Sequence, residues 1–363
     1  MRTHASDDRE VTQTHTITVE PIGVEVSCRE DQTILEACLR QGVNLPHACT
    51  HGTCGTCKVE VLDGDVDHGE ASAFALLDSE RDEGKTLICV CKPQSDVTIE
   101  ADVEEEEGVV FHPVKDFTAT VTTVEDCARD IRRVVLALDG EISINPGQYV
   151  QVEIPGHGVT RSWSVATPPA SAGTIELNIR KTPGGLATEG WVFENLAEGD
   201  TVALSGPYGR FFLREQRDEP AILIGGGTGL APLKAMVRHV LETGASHRMY
   251  LYHGARTQAD LYDVDYFTEL ENNAQGQFSY RPVLSEEEVD GIRHGLVTDA
   301  VDADFETCSG HVAYLCGPPP MVEAALKTLM AKRLFPRDIY REDFFDSSDK
   351  ANGGIRSPLL RTS

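Results

Sequence analysis

Four cysteine positions carry the chemistry that is easiest to read in this chain. Cys49, Cys54 and Cys57 fall in the run Pro46-His47-Ala48-Cys49-Thr50-His51-Gly52-Thr53-Cys54-Gly55-Thr56-Cys57, a C-x4-C-x2-C spacing, and 31 residues separate Cys57 from Cys89. That is the spacing of a plant-type [2Fe-2S] ligand set. Three thiolates on one tight loop converge only where the backbone wraps closely, which Gly52 and Gly55 allow. The small residues around them leave amides free to bond sulfur and tune a potential. A four-thiolate zinc site would also draw on the Cys54-x2-Cys57 pair. Zinc ribbons usually show two such knuckles, however, and Cys89-x-Cys91 makes a poor second one. On spacing alone Cys91 competes with Cys89 as fourth ligand. His47 and His51 would suit a Rieske centre, but four thiols already complete a set, so both are expected at the surface.

Three further strings have the composition of nucleotide sites. Arg161-Ser162-Trp163-Ser164 offers a cation for a pyrophosphate, a planar ring to face a flavin, and a hydroxyl near its reactive nitrogen. Gly184-Gly185-Leu186-Ala187-Thr188 is a glycine turn opening a helix, whose first amides suit phosphate oxygens, although an ordinary helix start has the same composition. The apolar run 221–224 leads into Gly225-Gly226-Gly227-Thr228-Gly229-Leu230-Ala231-Pro232, where glycines admit a pyrophosphate to the backbone. The G-x-G-x-x-G fingerprint fails at Leu230, and His253-Gly254-Ala255-Arg256 ends the next strand without an acid, so an ordinary Rossmann dehydrogenase is a poor match. Cys316-Gly317-Pro318-Pro319-Pro320-Met321 follows another apolar run, which aims a thiol into a ligand crevice or else buries an inert one.

These residues need elements to hold them. Residues 1–14 lack periodicity and read as a disordered tail. In 15–103, two alternating strands flank the Pro21-Ile22-Gly23 turn, and a helix from Thr33 to about Arg40, capped by Asp31 or Thr33, buries Ile34, Leu35 and Cys38. The cysteine loop, a short helix near 76–82 and further strands complete an α+β unit. Glu104-Glu105-Glu106-Glu107 marks an acidic linker over 104–115. Residues 116–215 show repeated short strands with Gly/Pro turns, the pattern of an antiparallel barrel, interrupted by one helix near 186–196. In 216–346 strands (221–224, 249–252, 312–315) alternate with helices, the signature of a parallel sheet. Residues 347–363 read as a polar tail.

Composition excludes several classes. With 32 Lys and Arg against 59 Asp and Glu the formal charge is −27, so nucleic acid and anionic lipid are poor partners. The acidity reflects salt adaptation and solubility, or a docking face for a basic partner. No run of about 18 apolar residues is present and the N-terminus is polar, so a cytosolic address is expected. There, a cysteine cluster points to metal or redox chemistry rather than disulfides.

Taken together, these motifs, with the stretches 45–59, 73–84, 94–100 and 206–212, give a chain that resembles the ferredoxin-NADP reductase superfamily carrying an N-terminal ferredoxin domain. It is most similar to the reductase component of bacterial multicomponent phenol hydroxylases and related soluble diiron monooxygenases. The resemblance implies a multidomain α+β and α/β fold: a β-grasp [2Fe-2S] ferredoxin, an antiparallel β-barrel FAD domain and a parallel-sheet α/β NAD(P)-binding domain. It selects Cys89, in Leu87-x-Cys89, as fourth metal ligand. It implies an FAD site of Arg161, Ser162, Trp163, Ser164, Gly185, Leu186, Ala187 and Thr188, with Trp163 where the superfamily commonly has tyrosine. It implies a dinucleotide site of Gly226, Gly227, Thr228, Gly229, Arg256, Cys316, Gly317 and Pro318. Ser164, Cys316 and Glu342 would serve catalysis, with Phe344 or Phe345 as the flavin shield. The implied activity moves electrons from NADH, or NADPH if Arg256 meets a 2′-phosphate, through FAD and the cluster to a separate oxygenase component, a phenol, other aromatic or alkane diiron monooxygenase. A Rieske dioxygenase reductase shares this domain order, and an electron-carrier or redox-sensing module without hydride chemistry is the rival of another class.

Overall fold

The computed structural model describes residues 13–48, 50–103, 106, 108–171 and 173–344. Cys49, Phe345, most of the acidic run 104–107, the tail 347–363 and all but the end of the tail 1–14 lie outside them. Two units divide the chain, Met1–Val114 and Lys115–Ser363.

In the first unit the strands are β1 (Thr14–Glu20), β2 (Val24–Arg29), β3 (Lys58–Asp63), β4 (Val66–Asp67), β5 (Lys85–Leu87), β6 (Lys92–Pro93) and β7 (Val97–Glu100), with helices α1 (Ile34–Arg40) and α2 (Asp78–Asp82). The main sheet runs β2-β1-β7-β3-β5, with β1 and β7 parallel and the other pairs antiparallel, a β-grasp. Thr33 rather than Asp31 caps α1, its hydroxyl accepting from the Glu36 amide at 3.3 Å. The apolar face of α1, including Cys38, is buried. Two boundaries shift. Thr14, placed in the tail by its sequence, already pairs with Arg29, and the end of the expected linker packs on this unit: Val114 is buried and its amide donates to Leu39.

The second unit opens with a six-stranded antiparallel barrel: β8 (Lys115–Ala128), β9 (Ile131–Leu138), β10 (Tyr149–Ile154), β11 (Val159–Ser164), β12 (Thr174–Arg180) and β13 (Thr201–Tyr208), in the order β11-β10-β13-β8-β9-β12. A bridge between Val165 and Leu177 joins its two ends. The helix expected over 186–196 is instead a single π-helical turn, Thr188–Phe193, in which Gly190 bonds back to Gly185 and Val192 to Ala187.

Six parallel strands follow, twice the number that the sequence displays: β14 (Ala221–Gly226), β15 (Met249–Ala255), β16 (Phe278–Leu284), β17 (Arg293–His294), β18 (Val312–Gly317) and β19 (Ile339–Asp343). The helices are α3 (Leu230–Thr243), α4 (Val264–Asn273), α5 (Val297–Asp304) and α6 (Pro319–Ala331). The order β17-β16-β15-β14-β18-β19 reverses direction between β14 and β18, and a crevice at such a switch point is where open α/β sheets bind ligands. One apolar cluster holds Ile131, Phe211 and Leu213 from the barrel side together with Leu233, Met236 and Val237 of α3, so barrel and sheet share a core.

The switch point is closed by backbone. A methyl group on Gly229 would lie 2.2 Å from the Cys316 carbonyl oxygen, whereas on Gly226 the one contact under 3 Å would be the Met321 sulfur at 2.8 Å. Gly229→Ala is therefore expected to cost about 1–3 kcal/mol. Gly226→Ala should cost clearly less, because the methionine can turn aside; thermal unfolding of the two variants tests the ordering.

Candidate functional site

The cysteine loop is closed by strand pairing. Lys58 of β3 opposes Leu87 of β5, and the Ile88 amide donates to the Cys57 carbonyl at 3.2 Å, so Cys57 and Cys89, far apart in sequence, come to the same end of the sheet. Residues 70–75 cover the loop. The Ser72 amide donates to Gly52 at 2.9 Å, and a Cβ on Gly52, whose φ is +71, would sit 3.0 Å from the Glu70 carbonyl. Cys57 and Cys89 are buried and Cys54 is half-buried. Among the described residues no three His, Cys, Asp or Glu side chains gather as a set for a metal ion, and Cys49 lies outside them. The donor chemistry fits an iron-sulfur cluster: thiolates from a tight glycine-bearing loop and one neighbouring strand end. Cys91 is fully buried, and burial pushes its thiol up to about 11. His47, expected at the surface, is buried, its Nδ1 2.8 Å from the Leu45 carbonyl; His51 is exposed. Beside the loop stands Phe74, 98% exposed, which the sequence did not single out.

In the barrel, β11 pairs with β10 so that Arg161 opposes Val152 and Trp163 opposes Val150. Arg161 and Ser162 are exposed, Trp163 is half-buried and Ser164 is buried. The indole of Trp163 stacks on Trp191 at 6.3 Å between centroids, which brings the strand and the π-helical turn together. Trp191 had no sequence signal, because its partner lies 28 residues away on another element. The glycine turn departs from expectation. The Gly185 amide donates to Thr182 at 2.9 Å, the Gly184 amide to the Glu189 carboxylate at 2.6 Å, and the Thr188 hydroxyl accepts from the Thr182 amide at 3.0 Å. Gly185 and the Thr188 hydroxyl thus shape the turn internally. The amides of Leu186, Ala187 and Thr188 stand at the start of the π-helical turn, a position from which amides can donate to a phosphate. A flavin dinucleotide fits this set: donors at a helix start, the Arg161 cation on a nearby strand and a stacked indole pair.

At the switch point Gly225 pairs with Cys316, and Cys316 pairs with Glu342 of β19. The Phe344 amide donates to Gly317 at 2.9 Å, and its ring packs on the core cluster that contains Cys316. Cys316, Glu342 and Phe344 are therefore neighbours, as are Gly317, Pro318 and the turn Gly227-Thr228-Gly229. Ser164 is tied to them through the Val165–Leu177 bridge, since β12 packs against that turn. Cys316 is fully buried, and burial, with the Glu342 and Asp343 carboxyls, pushes its thiol well above the usual range, which favours the neutral thiol. Burial and then the Asp343 charge raise Glu342 to about 8, and its Oε2 is buried without a hydrogen-bond partner. An unsatisfied polar atom in a ligand crevice is what a nicotinamide carboxamide would satisfy. Arg256 is exposed just past the end of β15, on the dinucleotide side.

Comparison with known proteins finds three family models along the chain. The family described as 2Fe-2S iron-sulfur cluster binding domain matches residues 17–94, the oxidoreductase FAD-binding domain 118–213 and the oxidoreductase NAD-binding domain 223–327. The chain is 49% identical to the phenol hydroxylase P5 protein of Acinetobacter pittii over 95% of its own length and 98% of that protein. It is 45% identical to the reductase component DmpP of a Pseudomonas phenol 2-monooxygenase, over 96% and 99%. Among solved structures, the Amycolatopsis cytochrome P450 reductase GcoB superposes with a TM-score of 0.85 at 44% identity, covering 91% of this chain and 99% of that one.

The raised Glu342 pKa has a stability consequence. Between the ordinary glutamate value of 4.5 and about 8 the folded chain keeps a proton that the unfolded chain has lost, so this group makes stability fall as pH rises through that window. Glu342→Gln is expected to flatten that part of the profile, read as the variant-minus-parent difference in denaturant unfolding at several pH values. An unchanged difference would mean that Glu342 titrates normally.

Proposed function

This chain belongs to the family of iron-sulfur flavoprotein reductase components of bacterial multicomponent oxygenases, and from that premise we propose that it passes electrons from NADH to the oxygenase component of a phenol or related aromatic diiron monooxygenase. The observation that carries the reading is the coexistence, in one chain, of the cysteine loop, the arginine-tryptophan face of the barrel and the glycine-lined crevice at Cys316. When bound, FAD accepts a hydride and hands electrons on singly, and a [2Fe-2S] cluster accepts one at a time.

The chain's own residues do the rest. Arg161 and the amides of Leu186, Ala187 and Thr188 hold the flavin pyrophosphate, and the Trp163–Trp191 pair walls its ring. Gly226, Gly227, Thr228 and Gly229 admit the nicotinamide dinucleotide, with Arg256 toward its adenosine end. Neutral Glu342 offers an O–H to the carboxamide or the flavin edge, while Cys316 and Ser164 fix the approach. Phe344, beside Gly317 at the end of β19, would shield the flavin ring and keep water from it. Cys49, Cys54, Cys57 and Cys89 hold the cluster. Phe74 and the acidic surface of the first unit meet the acceptor: residues 1–114 hold 8 Lys and Arg against 24 Asp and Glu, which calls for a basic face on the partner. A cytoplasmic workplace belongs to this reading, because NADH and thiols both need a reducing compartment.

The purified protein should support NADH-dependent hydroxylation of phenol when mixed with a phenol hydroxylase oxygenase component, and should fail with a cytochrome P450; the opposite pattern would move the partner class. Cys89→Ser is expected to leave flavin bleaching by NADH in place while abolishing hydroxylation, and Cys91→Ser to leave both within about twofold.

A further inference from the structure

Lys234 is a buried cation for which the reading above has no use. It lies on the first turns of α3, directly after the glycine turn of the dinucleotide crevice, and is 4% exposed. Its Nζ donates to Glu176 Oε1 at 2.8 Å and to Asp263 Oδ2 at 2.7 Å. Glu176 stands on β12 of the barrel; Asp263 opens α4. Arg133 of β9 closes the figure, with Nε 3.1 Å from Glu176 Oε1 and Nη2 on the other oxygen of Asp263. Two cations and two carboxylates thus alternate across the seam between barrel and sheet. Although burial opposes ionisation of Glu176, Lys234 and its other partners hold it below the usual carboxylate range.

Stability alone does not account for such a cluster, since apolar residues of similar volume replace buried ion pairs at little cost or with a gain. Asp263 shows what else is at stake. An aspartate preceding a helix ordinarily accepts from that helix's own amides. Asp263 makes no such bond, and its φ is +57, in the left-handed region that few non-glycine residues adopt, aspartate being one of the more tolerant. Its carboxylate is turned to Lys234 and Arg133 instead. The adjoining Tyr262 is buried, and its hydroxyl donates to the Gly227 carbonyl at 3.1 Å. One two-residue segment therefore grips the crevice turn with Tyr262 and, through Asp263, the barrel. Local rules broken together in this way are a mark of a functional constraint.

We propose that Lys234, with Glu176, Asp263 and Arg133, forms a positioning device that fixes the dinucleotide-binding turn against the flavin-binding barrel, so that the nicotinamide reaches the flavin at reacting distance. The proposal rests on the reading of this chain as an NADH-dependent flavoprotein reductase. None of the four side chains touches a reacting atom; they act through the turn.

The test uses flavin-loaded holoprotein, NADH and anaerobic stopped-flow absorption. Two variants serve: the isosteric Asp263→Asn, and Lys234→Met combined with Glu176→Gln, which removes one charge of each sign and leaves Arg133 facing Asp263. A displacement of the turn by about 1 Å should lower the limiting rate of flavin bleaching by roughly 10²-fold. The NADH concentration at half-saturation should move less than about threefold, because the dinucleotide's own contacts remain. The long-wavelength absorption of nicotinamide stacked on flavin should weaken in parallel, and Lys234→Arg should recover most of the rate. Wild-type limiting rates and an undiminished long-wavelength band in both variants, at full flavin content, would overturn the proposal and leave the reductase reading intact. Absence of bleaching in the parent protein would sink that reading itself. If the double variant does not retain flavin, Asp263→Asn decides alone.

Discussion

The second unit hangs on one close approach: the backbone of Gly229 against the carbonyl of Cys316, where β14 and β18 diverge. Nothing larger than hydrogen fits there, so the turn that receives a dinucleotide and the strand that carries the buried thiol are set by main chain. Glu342 and Phe344 inherit their places from the same contact, because β19 pairs with β18 and the Phe344 amide bonds to Gly317. The barrel joins through β12, and a common apolar core extends from Ile131 to Met236. Oxidant and reductant sites are thereby held in one body, as hydride chemistry requires.

What was legible in the sequence was whatever depends on neighbours in the chain. Cys49, Cys54 and Cys57 declare themselves because loop ligands must lie close in sequence, and the glycine turn after β14 shows because backbone approach restricts residue type. Periodicity found α1, the barrel strands and α3. It missed β16, β17 and β19 and turned a π-helical turn into a helix over 186–196, because the Gly190 to Gly185 bond is a choice among backbone partners that side-chain pattern does not record. Trp191, and the grouping of Glu176, Lys234, Asp263 and Arg133, were invisible for another reason. Each residue alone looks like an ordinary aromatic or a solvated charge, and only the tertiary arrangement of four elements makes them a set. The glycine turn at 184–188 was half legible: its composition pointed to phosphate, but two of its expected donors are spent on the turn itself.

Electrostatics divides the labour between the units. The first carries the greater density of acidic side chains and presents an exposed aromatic beside the cysteine loop, features of a surface that meets a partner. In the second, Lys234 and Arg133 are paired with Glu176 and Asp263 inside the fold, and burial raises the Cys316 thiol and the Glu342 carboxyl above their usual ranges. A dry, neutral crevice suits transfer of a hydride; an acidic, exposed face suits transient docking.

The central claim is that one chain joins a two-electron acceptor to a one-electron relay. Anaerobic titration of the purified holoprotein with NADH, followed by absorption and EPR, tests it directly. The account predicts uptake of about three electrons per chain, two at the flavin and one at the cluster, with the EPR signal of a reduced [2Fe-2S] centre. Uptake of only two electrons with no such signal, or iron replaced by zinc in the metal analysis, would contradict it.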